Sequence, residues 1–326
     1  MSQSERKRRQ SVAILFCEPN AQIRSGLRQA LRHEGYERIL DIDSEPNLSS
    51  HLSTASSQLL PDLAILDADL GPGMVPMLRD VRRGLIGINP FFSIILTTAN
   101  TEVARIRQLI GSGVDEVVAK PLAPATILQR MELQATRRKP YVATGDYIGP
   151  DRREGRPDPN APGVRLIDPP NTFKAKLDGK PISIDALKRM VRDTQGQLID
   201  QRVDRDVRRI MILTRALAEA SVGSFTHNET EANELRGQCN QLIGLAALFA
   251  RHAAHSPMQN TVPLFEALQS SATILRDHLP ALDERSAHLL LPIAAKIVDV
   301  LADDTARRHV AAGFLAETGA TRHAAE

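Results

Sequence analysis

The sequence predicts an α/β domain, built on a doubly wound five-stranded parallel sheet, followed by a C-terminal α-helical bundle domain. The first part of this prediction rests on residues 11–138, where five short apolar runs alternate with stretches of helical spacing. The second part rests on residues 181–320, where apolar stripes with helical spacing follow one another with short connections. A Pro- and Gly-rich stretch, residues 139–180, separates the two parts.

The five predicted strands are short runs of mainly Val, Ile, Leu and Phe. They cover residues 12–17, 38–42, 62–66, 92–97 and 114–119. Helical spacing follows the first run, where Ile23, Leu27 and Leu31 share one face and Gly35 stands at the position of a helix C-cap. Because strands that alternate with helices form parallel sheets, we expect a ligand crevice at the carboxyl ends of these strands.

Residues 139–180 are predicted to form a partly extended linker. Residues 140–181 contain eight prolines and five glycines, so we expect neither regular helix nor central strand there. Within this stretch, residues 147–153 read Tyr-Ile-Gly-Pro-Asp-Arg-Arg. Two interpretations of this segment stay open, a docking tag for a partner and a turn with solvated arginines.

The C-terminal domain is predicted to be helical because its apolar residues recur every three to four positions. The stripes cover residues 198–217, 235–249, 264–275 and 287–301. Four or five such helices are typical of an antiparallel bundle. The stripes offer more apolar faces than one small bundle hides, so we expect self-association or a helical protein partner.

Composition and charge exclude several classes of function. Aromatic residues make up only 3% of the chain, too few for the stacking surfaces that bind single-stranded nucleic acid. Residues 181–326 carry 16 basic and 18 acidic side chains, so we expect no DNA binding by the helical domain. Two cysteines predict neither a disulfide scaffold nor a Cys-rich zinc site. The longest apolar run, residues 242–250, is too short for membrane insertion, and we expect a soluble, cytoplasmic protein.

Polar side chains stand at the carboxyl ends of four predicted strands. Glu18 follows the first strand, Asp67 ends the third, Thr98 follows the fourth and Lys120 follows the fifth. Two carboxylates, a hydroxyl and an ammonium in one crevice suit a phosphoryl group. Oxygen ligands hold a divalent cation, and the cation, the lysine and the hydroxyl bind phosphoryl oxygens. One carboxylate can itself be the nucleophile that takes the phosphoryl group.

The motifs around these residues resemble the response-regulator receiver domain of bacterial two-component systems, a flavodoxin-like fold. The resemblance covers residues 11–138. It is carried by Pro-Asp-Leu-Ala-Ile-Leu-Asp at 61–67, Gly-Pro-Gly-Met at 71–74, Ile-Leu-Thr-Thr-Ala-Asn at 95–100 and Lys-Pro at 120–121. The intervals also match the family, with 31 residues from Asp67 to Thr98 and 22 from Thr98 to Lys120.

The resemblance implies roles for individual residues. It makes Asp67 the phosphoacceptor, Thr98 the switch hydroxyl and Lys120 the lysine that contacts the phosphoryl group. It also implies that Mg²⁺ is held by Glu18, Asp67 and the backbone carbonyl of Asp69. The implied partner is a sensor histidine kinase or a phosphotransfer protein.

The sequence departs from the family at two places. The family usually has two adjacent acids after the first strand, whereas Cys17, Glu18 and Pro19 stand here. Because only Glu18 remains to help Asp67, we expect weak Mg²⁺ binding. The family also often has an aromatic residue three positions before the lysine, where Val117 stands here. A switch that works by rotating an aromatic ring is therefore not expected.

The sequence favours a phosphorylation-responsive signalling protein that takes a phosphoryl group on Asp67 and relays the change to a helical protein-interaction domain. One alternative is a pseudo-receiver scaffold that binds partners without phosphorylation. Another is a transcriptional regulator, which needs a basic recognition helix. No catalytic constellation stands out in residues 181–326, so we do not expect an enzyme.

Overall fold

The computed structural model describes residues 2–54, 60–144, 147–153, 165–220, 228–254, 256–279 and 284–303. The chain divides into two compact units, with the boundary after Leu198. The first unit also contains residues 139–180 and the start of the helical part, and the domain bounds drawn from the sequence stay a prediction. Residues 304–320 of the predicted bundle lie outside the described residues.

The first unit is built on a parallel five-stranded sheet, as predicted. Its strands are β1 (Ala13–Cys17), β2 (Arg38–Asp41), β3 (Leu63–Asp67), β4 (Ser93–Thr98) and β5 (Glu116–Ala119), and their order in the sheet is β2-β1-β3-β4-β5. Every neighbouring pair is parallel. The central strands β3 and β4 are buried along their whole length, which explains why residues 63–66 and 94–96 are apolar without alternation.

Helices cover both faces of this sheet. They are α2 (Ala21–His33), α3 (Glu45–Thr54), α4 (Met74–Arg83), α5 (Val103–Ile110) and α6 (Pro124–Thr136), whereas α1 (Gln3–Gln10), which precedes β1, buries none of its residues. Alternate residues of β3 separate the two cores: Ala64 and Leu66 pack with α3, α4 and α5, whereas Leu63 and Ile65 pack with α2 and α6. The doubly wound arrangement predicted from the sequence is therefore confirmed.

The stretch predicted as a linker contains regular structure. A hairpin of β6 (Tyr141–Thr144) and β7 (Tyr147–Pro150) pairs antiparallel, with Tyr141 opposite Pro150. The six-residue helix α7 (Thr172–Leu177) follows, and the side chain of Asn171 caps its start. The expectation that this stretch has no regular helix is wrong. The described prolines of residues 140–181, at positions 140, 150, 169, 170 and 181, lie at a strand end or between elements, where a missing N–H breaks no helical hydrogen bond.

The second unit is helical. It contains most of α8 (Ile184–Ala220), together with α9 (Glu229–Ala254), α10 (Val262–His278) and α11 (Glu284–Ala302). The four predicted stripes fall on these helices and form one apolar core, in which the rings of Phe249 and Phe265 stack 5.5 Å apart. Among the described residues, no helix is long and apolar enough to cross a membrane.

Candidate functional site

The carboxyl edge of the sheet brings the predicted residues together. The register sets Asp67 beside Thr97 and Thr98 beside Ala119, so the residues that end or follow these strands lie in one crevice. Glu18, Asp67 and Thr98 are each no more than 3% exposed. Buried polar groups need partners, so the contacts of these side chains decide what the crevice can bind.

Lys120 forms ion pairs with both carboxylates. Its Nζ lies 2.6 Å from Asp67 Oδ2 and 2.8 Å from Glu18 Oε2. The other oxygens are also occupied, because the N–H of Asp69 donates to Asp67 Oδ1 (2.8 Å) and that of Asn20 to Glu18 Oε1 (2.9 Å). Burial alone would lower the pKa of the Lys120 ammonium, but the hydrogen bonds to Asp67 and Glu18 outweigh it and raise the pKa. The lysine is therefore a fixed cation within reach of any anion bound here.

Thr98 is held by Asp69 rather than by Asp67. Its hydroxyl donates to Asp69 Oδ2 over 3.1 Å, and the N–H of Ala99 donates to the same oxygen over 3.2 Å. Burial would raise the pKa of Asp69, but these bonds and Arg105 lower it. A phosphoryl group on Asp67 could accept a hydrogen bond from the Thr98 hydroxyl only after the bond from that hydroxyl to Asp69 had broken.

Arg105 is a site residue that the sequence interpretation missed. From α5, its guanidinium reaches Asp69 Oδ1 (3.2 Å) and the carbonyl of Ala68 (2.9 Å), so it holds the loop that follows Asp67. The sequence signal was weak, because an arginine in the first turn of a helix is usually solvated.

Glu45 is a second missed residue. Its carboxylate accepts a hydrogen bond of 3.0 Å from the N–H of Gly73, at the start of α4. A Cβ on Gly71 or Gly73 would collide with this carboxylate, so both glycines are needed for the close approach. The loop between Asp67 and α4 is thereby fastened at a helix N-terminus, which favours negative charge.

The donor set for a cation is small. Glu18, Asp67 and the carbonyl of Asp69 offer oxygen ligands, the type that Mg²⁺ prefers, and Mg²⁺ often binds through only one or two carboxylates. Among the described residues, no group of three or more His, Cys, Asp or Glu side chains is placed to hold a metal. The residues therefore fit Mg²⁺ by chemistry, but both carboxylates are already paired with Lys120.

Cys17 does not supply the missing acid. Burial, assisted by the charges of Asp67 and Glu18, raises the pKa of its thiol to about 12, so the sulfur is uncharged at neutral pH. Val117 stands where the family often has an aromatic residue. It packs against the apolar core that lies between the sheet and helices α4 and α5.

The segment 147–153 lies at the other edge of the sheet. Arg152 donates to the carbonyls of Val114 (2.7 Å) and Asp115 (3.1 Å), the residues that lead into β5. Arg153 pairs with Asp151 at 2.7 Å. The interpretation as a turn with solvated arginines is wrong for Arg152, because this arginine binds the chain's own backbone.

Two known proteins are similar to parts of this chain. No family model matches the chain. The "Phosphate regulon transcriptional regulatory protein PhoB" of Pseudomonas aeruginosa is 26% identical over 202 residues, which are 58% of this chain and 78% of that protein. A solved structure, a CheY-like response regulator receiver domain protein from Methanospirillum hungatei JF-1, is 19% identical with a TM-score of 0.32, covering 37% of this chain and 90% of that one.

Proposed function

We propose that this two-component signalling protein, whose N-terminal unit is a response-regulator receiver domain, accepts a phosphoryl group on Asp67. The observation that carries the proposal is the convergence of Asp67, Glu18 and Lys120 at the carboxyl edge of the sheet, with Lys120 Nζ 2.6 Å from Asp67. A buried carboxylate beside a fixed cation suits attack on a phosphoryl group, because the cation stabilises the charge that develops on the phosphoryl oxygens.

The reaction is a transfer between two proteins. A carboxylate oxygen of Asp67 forms a bond to phosphorus while the N–P bond of a phosphohistidine breaks, and the imidazole leaves. The donor is a sensor histidine kinase or a phosphotransfer protein. In this step the chain supplies the nucleophile and the electrostatic environment. Because the chain is itself the acceptor that is modified, we propose no turnover of a substrate as an enzyme.

The neighbouring residues orient the phosphoryl group. Lys120 pairs with a phosphoryl oxygen in place of one of its carboxylates, and Thr98 exchanges its bond to Asp69 for a bond to the phosphoryl group. Receiver domains generally bind Mg²⁺ at this acidic pocket, where the metal neutralises charge. In this chain Glu18, Asp67 and the Asp69 carbonyl would hold it, and the binding is weak because Lys120 competes for both carboxylates.

The alternative is a pseudo-receiver scaffold that binds partners without phosphorylation. One observation favours it: Lys120 already pairs with both Glu18 and Asp67. The negative charge of these two carboxylates is therefore partly neutralised without a metal ion or a phosphoryl group. In both versions the helical part contacts another protein or a second copy of this chain. DNA is not the expected partner, since residues 181–326 carry no net positive charge.

Acetyl phosphate with Mg²⁺, followed by intact-mass measurement, tests the proposal. The wild-type chain should gain the mass of one phosphoryl group, and Asp67→Asn should gain none. Asp80→Asn is the matched control, because Asp80 is a more exposed carboxylate on α4 whose side chain is 39% exposed. A gain that persists in Asp67→Asn would show that another residue is modified, and no gain in the wild type would favour the scaffold.

A further inference from the structure

A group of buried charged and polar side chains that bond to one another lies at the amino-terminal edge of the sheet, opposite the Asp67 site. We call Arg82, Asp115, Arg138 and Tyr141 the basal cluster. Arg82 is 2% exposed, Asp115 3% and Tyr141 0%. Charges this deeply buried are rare unless they are paired, so the contacts inside the cluster hold it together.

Asp115 is the centre of the basal cluster. Its Oδ2 accepts from Arg82 (2.8 Å), and its Oδ1 accepts from Arg138 Nε (2.8 Å) and from the Tyr141 hydroxyl (3.1 Å). Arg138 also donates to the Tyr141 oxygen over 2.8 Å. Displacing one member leaves buried donors unpaired, so the cluster moves as a unit or breaks.

Helix α4 connects the basal cluster to the phosphoacceptor loop. It begins at Met74, directly after the loop fastened by Glu45, and Arg82 lies near its end. Ten helical residues span about 15 Å, so α4 is a rigid rod between the two edges of the sheet. Arg82 also donates to the carbonyls of Gly113 (2.7 Å), Pro90 (2.6 Å) and Phe92 (2.9 Å), which fixes the end of the rod to the strands.

The hairpin is seated on the same edge. A Cβ on Gly149 would lie 2.7 Å from the Cα of Gly113, so the two backbones are in direct contact only because both residues are glycines. The N–H of Asp151 donates to the carbonyl of Pro140 (2.8 Å), and Arg152 fastens the end of β7 to the residues before β5. Residues 147–153 therefore dock onto the chain's own receiver domain.

The start of α8 packs against this assembly. Tyr141 and Phe91, whose ring centroids are 5.9 Å apart, share one core with Leu187, Val191 and Leu198 of α8. The side-chain amide of Gln195 also lies directly over Gly84, the left-handed C-cap of α4. Helix α4, which begins after the loop that follows Asp67, therefore ends in contact with α8.

We propose that the state of Asp67 is transmitted to α8 through α4 and the basal cluster. This inference rests on the proposed function, and it names the output route of that site. A shift of α4 that accompanies phosphorylation moves Arg82. Because Arg82 is bonded to Asp115, and Asp115 to Tyr141, the shift also displaces the turns of α8 that pack against Tyr141. This route does not need the aromatic residue that Val117 replaces.

Hydrogen exchange on the full-length chain tests the route, with Mg²⁺ and beryllofluoride as the phosphoryl mimic. Two regions are followed: the site, through residues 68–73 and α5, and the output, through residues 141–153 and 184–198. In the wild type both regions should exchange more slowly with the mimic, by about fivefold or more, the lower end of typical coupling between sites.

Two variants interrupt the route without touching the site. Tyr141→Phe removes one hydroxyl and keeps the ring, whereas Arg152→Gln releases the hairpin from the residues before β5. Each should keep the response of the site and lose the response of residues 184–198. Arg83→Gln is the control, since it removes a charge next to Arg82 from a partly exposed position and should respond like the wild type.

The outcomes separate this proposal from the proposed function. A wild-type site that responds while residues 184–198 stay unchanged overturns the route alone. A full response of residues 184–198 in both Tyr141→Phe and Arg152→Gln overturns it as well. If neither region of the wild type responds, phosphoryl binding at Asp67 fails and the route fails with it.

Discussion

Replacing Asp115 by Asn is expected to destabilise the first unit by about 3–5 kcal/mol, the usual cost of breaking a buried ion pair. The substitution keeps the size of the side chain, removes its charge and replaces one acceptor oxygen by an NH₂ group. It therefore isolates the electrostatic contribution of the basal cluster from its packing.

The magnitude follows from the contacts of the carboxylate. Asp115 accepts four hydrogen bonds, two on Oδ1 from Arg138 and Tyr141 and two on Oδ2 from Arg82 and the N–H of Ile94. An asparagine keeps one oxygen and turns an NH₂ group toward two of these donors. Two buried guanidinium groups lose their counter-charge at the same time. For a unit of this size, 3–5 kcal/mol corresponds to a fall in Tm of about 6–20 °C.

The pH dependence gives a second readout. Burial alone would raise the pKa of Asp115, but Arg138 and Arg82 outweigh it and hold the pKa below its ordinary value of 3.8. A carboxyl group with a lowered pKa in the folded state contributes stability above pH 3.8 and loses it as the pH falls through the folded value. The difference in stability between the wild type and Asp115→Asn should therefore shrink below about pH 4.

Urea unfolding followed by tyrosine fluorescence measures the effect. The chain has three tyrosines, at positions 36, 141 and 147, and no tryptophan, so this signal reports the first unit alone. Glu116→Gln is the matched control: the neighbouring acid is partly exposed and lies 3.5 Å from Arg130, so its loss should cost less than about 1 kcal/mol. If Asp115→Asn costs no more than this control, the buried ion pairs do not stabilise the fold and the reasoning fails.

Two further predictions concern the metal and the second unit. Pro19→Asp should tighten Mg²⁺ binding in a titration, because it adds an anionic ligand beside Glu18. Gln22→Asp adds the same charge in the exposed first turn of α2 and should not tighten binding. Equal Mg²⁺ affinities of the wild type and Pro19→Asp would mean that Glu18 and Asp67 suffice. In size-exclusion chromatography with light scattering, the full chain should have a mass larger than that of a monomer. The reason is that three large apolar side chains of the second unit, Ile212, Ile274 and Leu289, are 50–59% exposed. A monomeric mass at every concentration would contradict self-association.

The sequence by itself determined the five strands of the parallel sheet, the apolar stripes of the second unit and the edge at which the site lies. Alternating apolar runs encode which face of a strand is buried, so the five strands and the helical stripes could be assigned from local spacing. Glu18, Asp67, Thr98 and Lys120 could be grouped because parallel strands bring their carboxyl ends to one edge. The structure brings these four residues into one crevice, and their roles in phosphoryl transfer stay predictions.

The tertiary structure alone decided which polar groups pair with one another. Arg82 and Asp115 are 33 residues apart, and Arg105 and Asp69 are 36 apart. Local spacing carries no signal for such pairs, because charged residues are expected at the surface until the fold brings a partner to them. The same reason applies to residues 139–180, whose prolines and glycines predicted a linker. Gly149 and Arg152 gain their structural roles only from Gly113 and the carbonyls before β5, which long-range folding places beneath them.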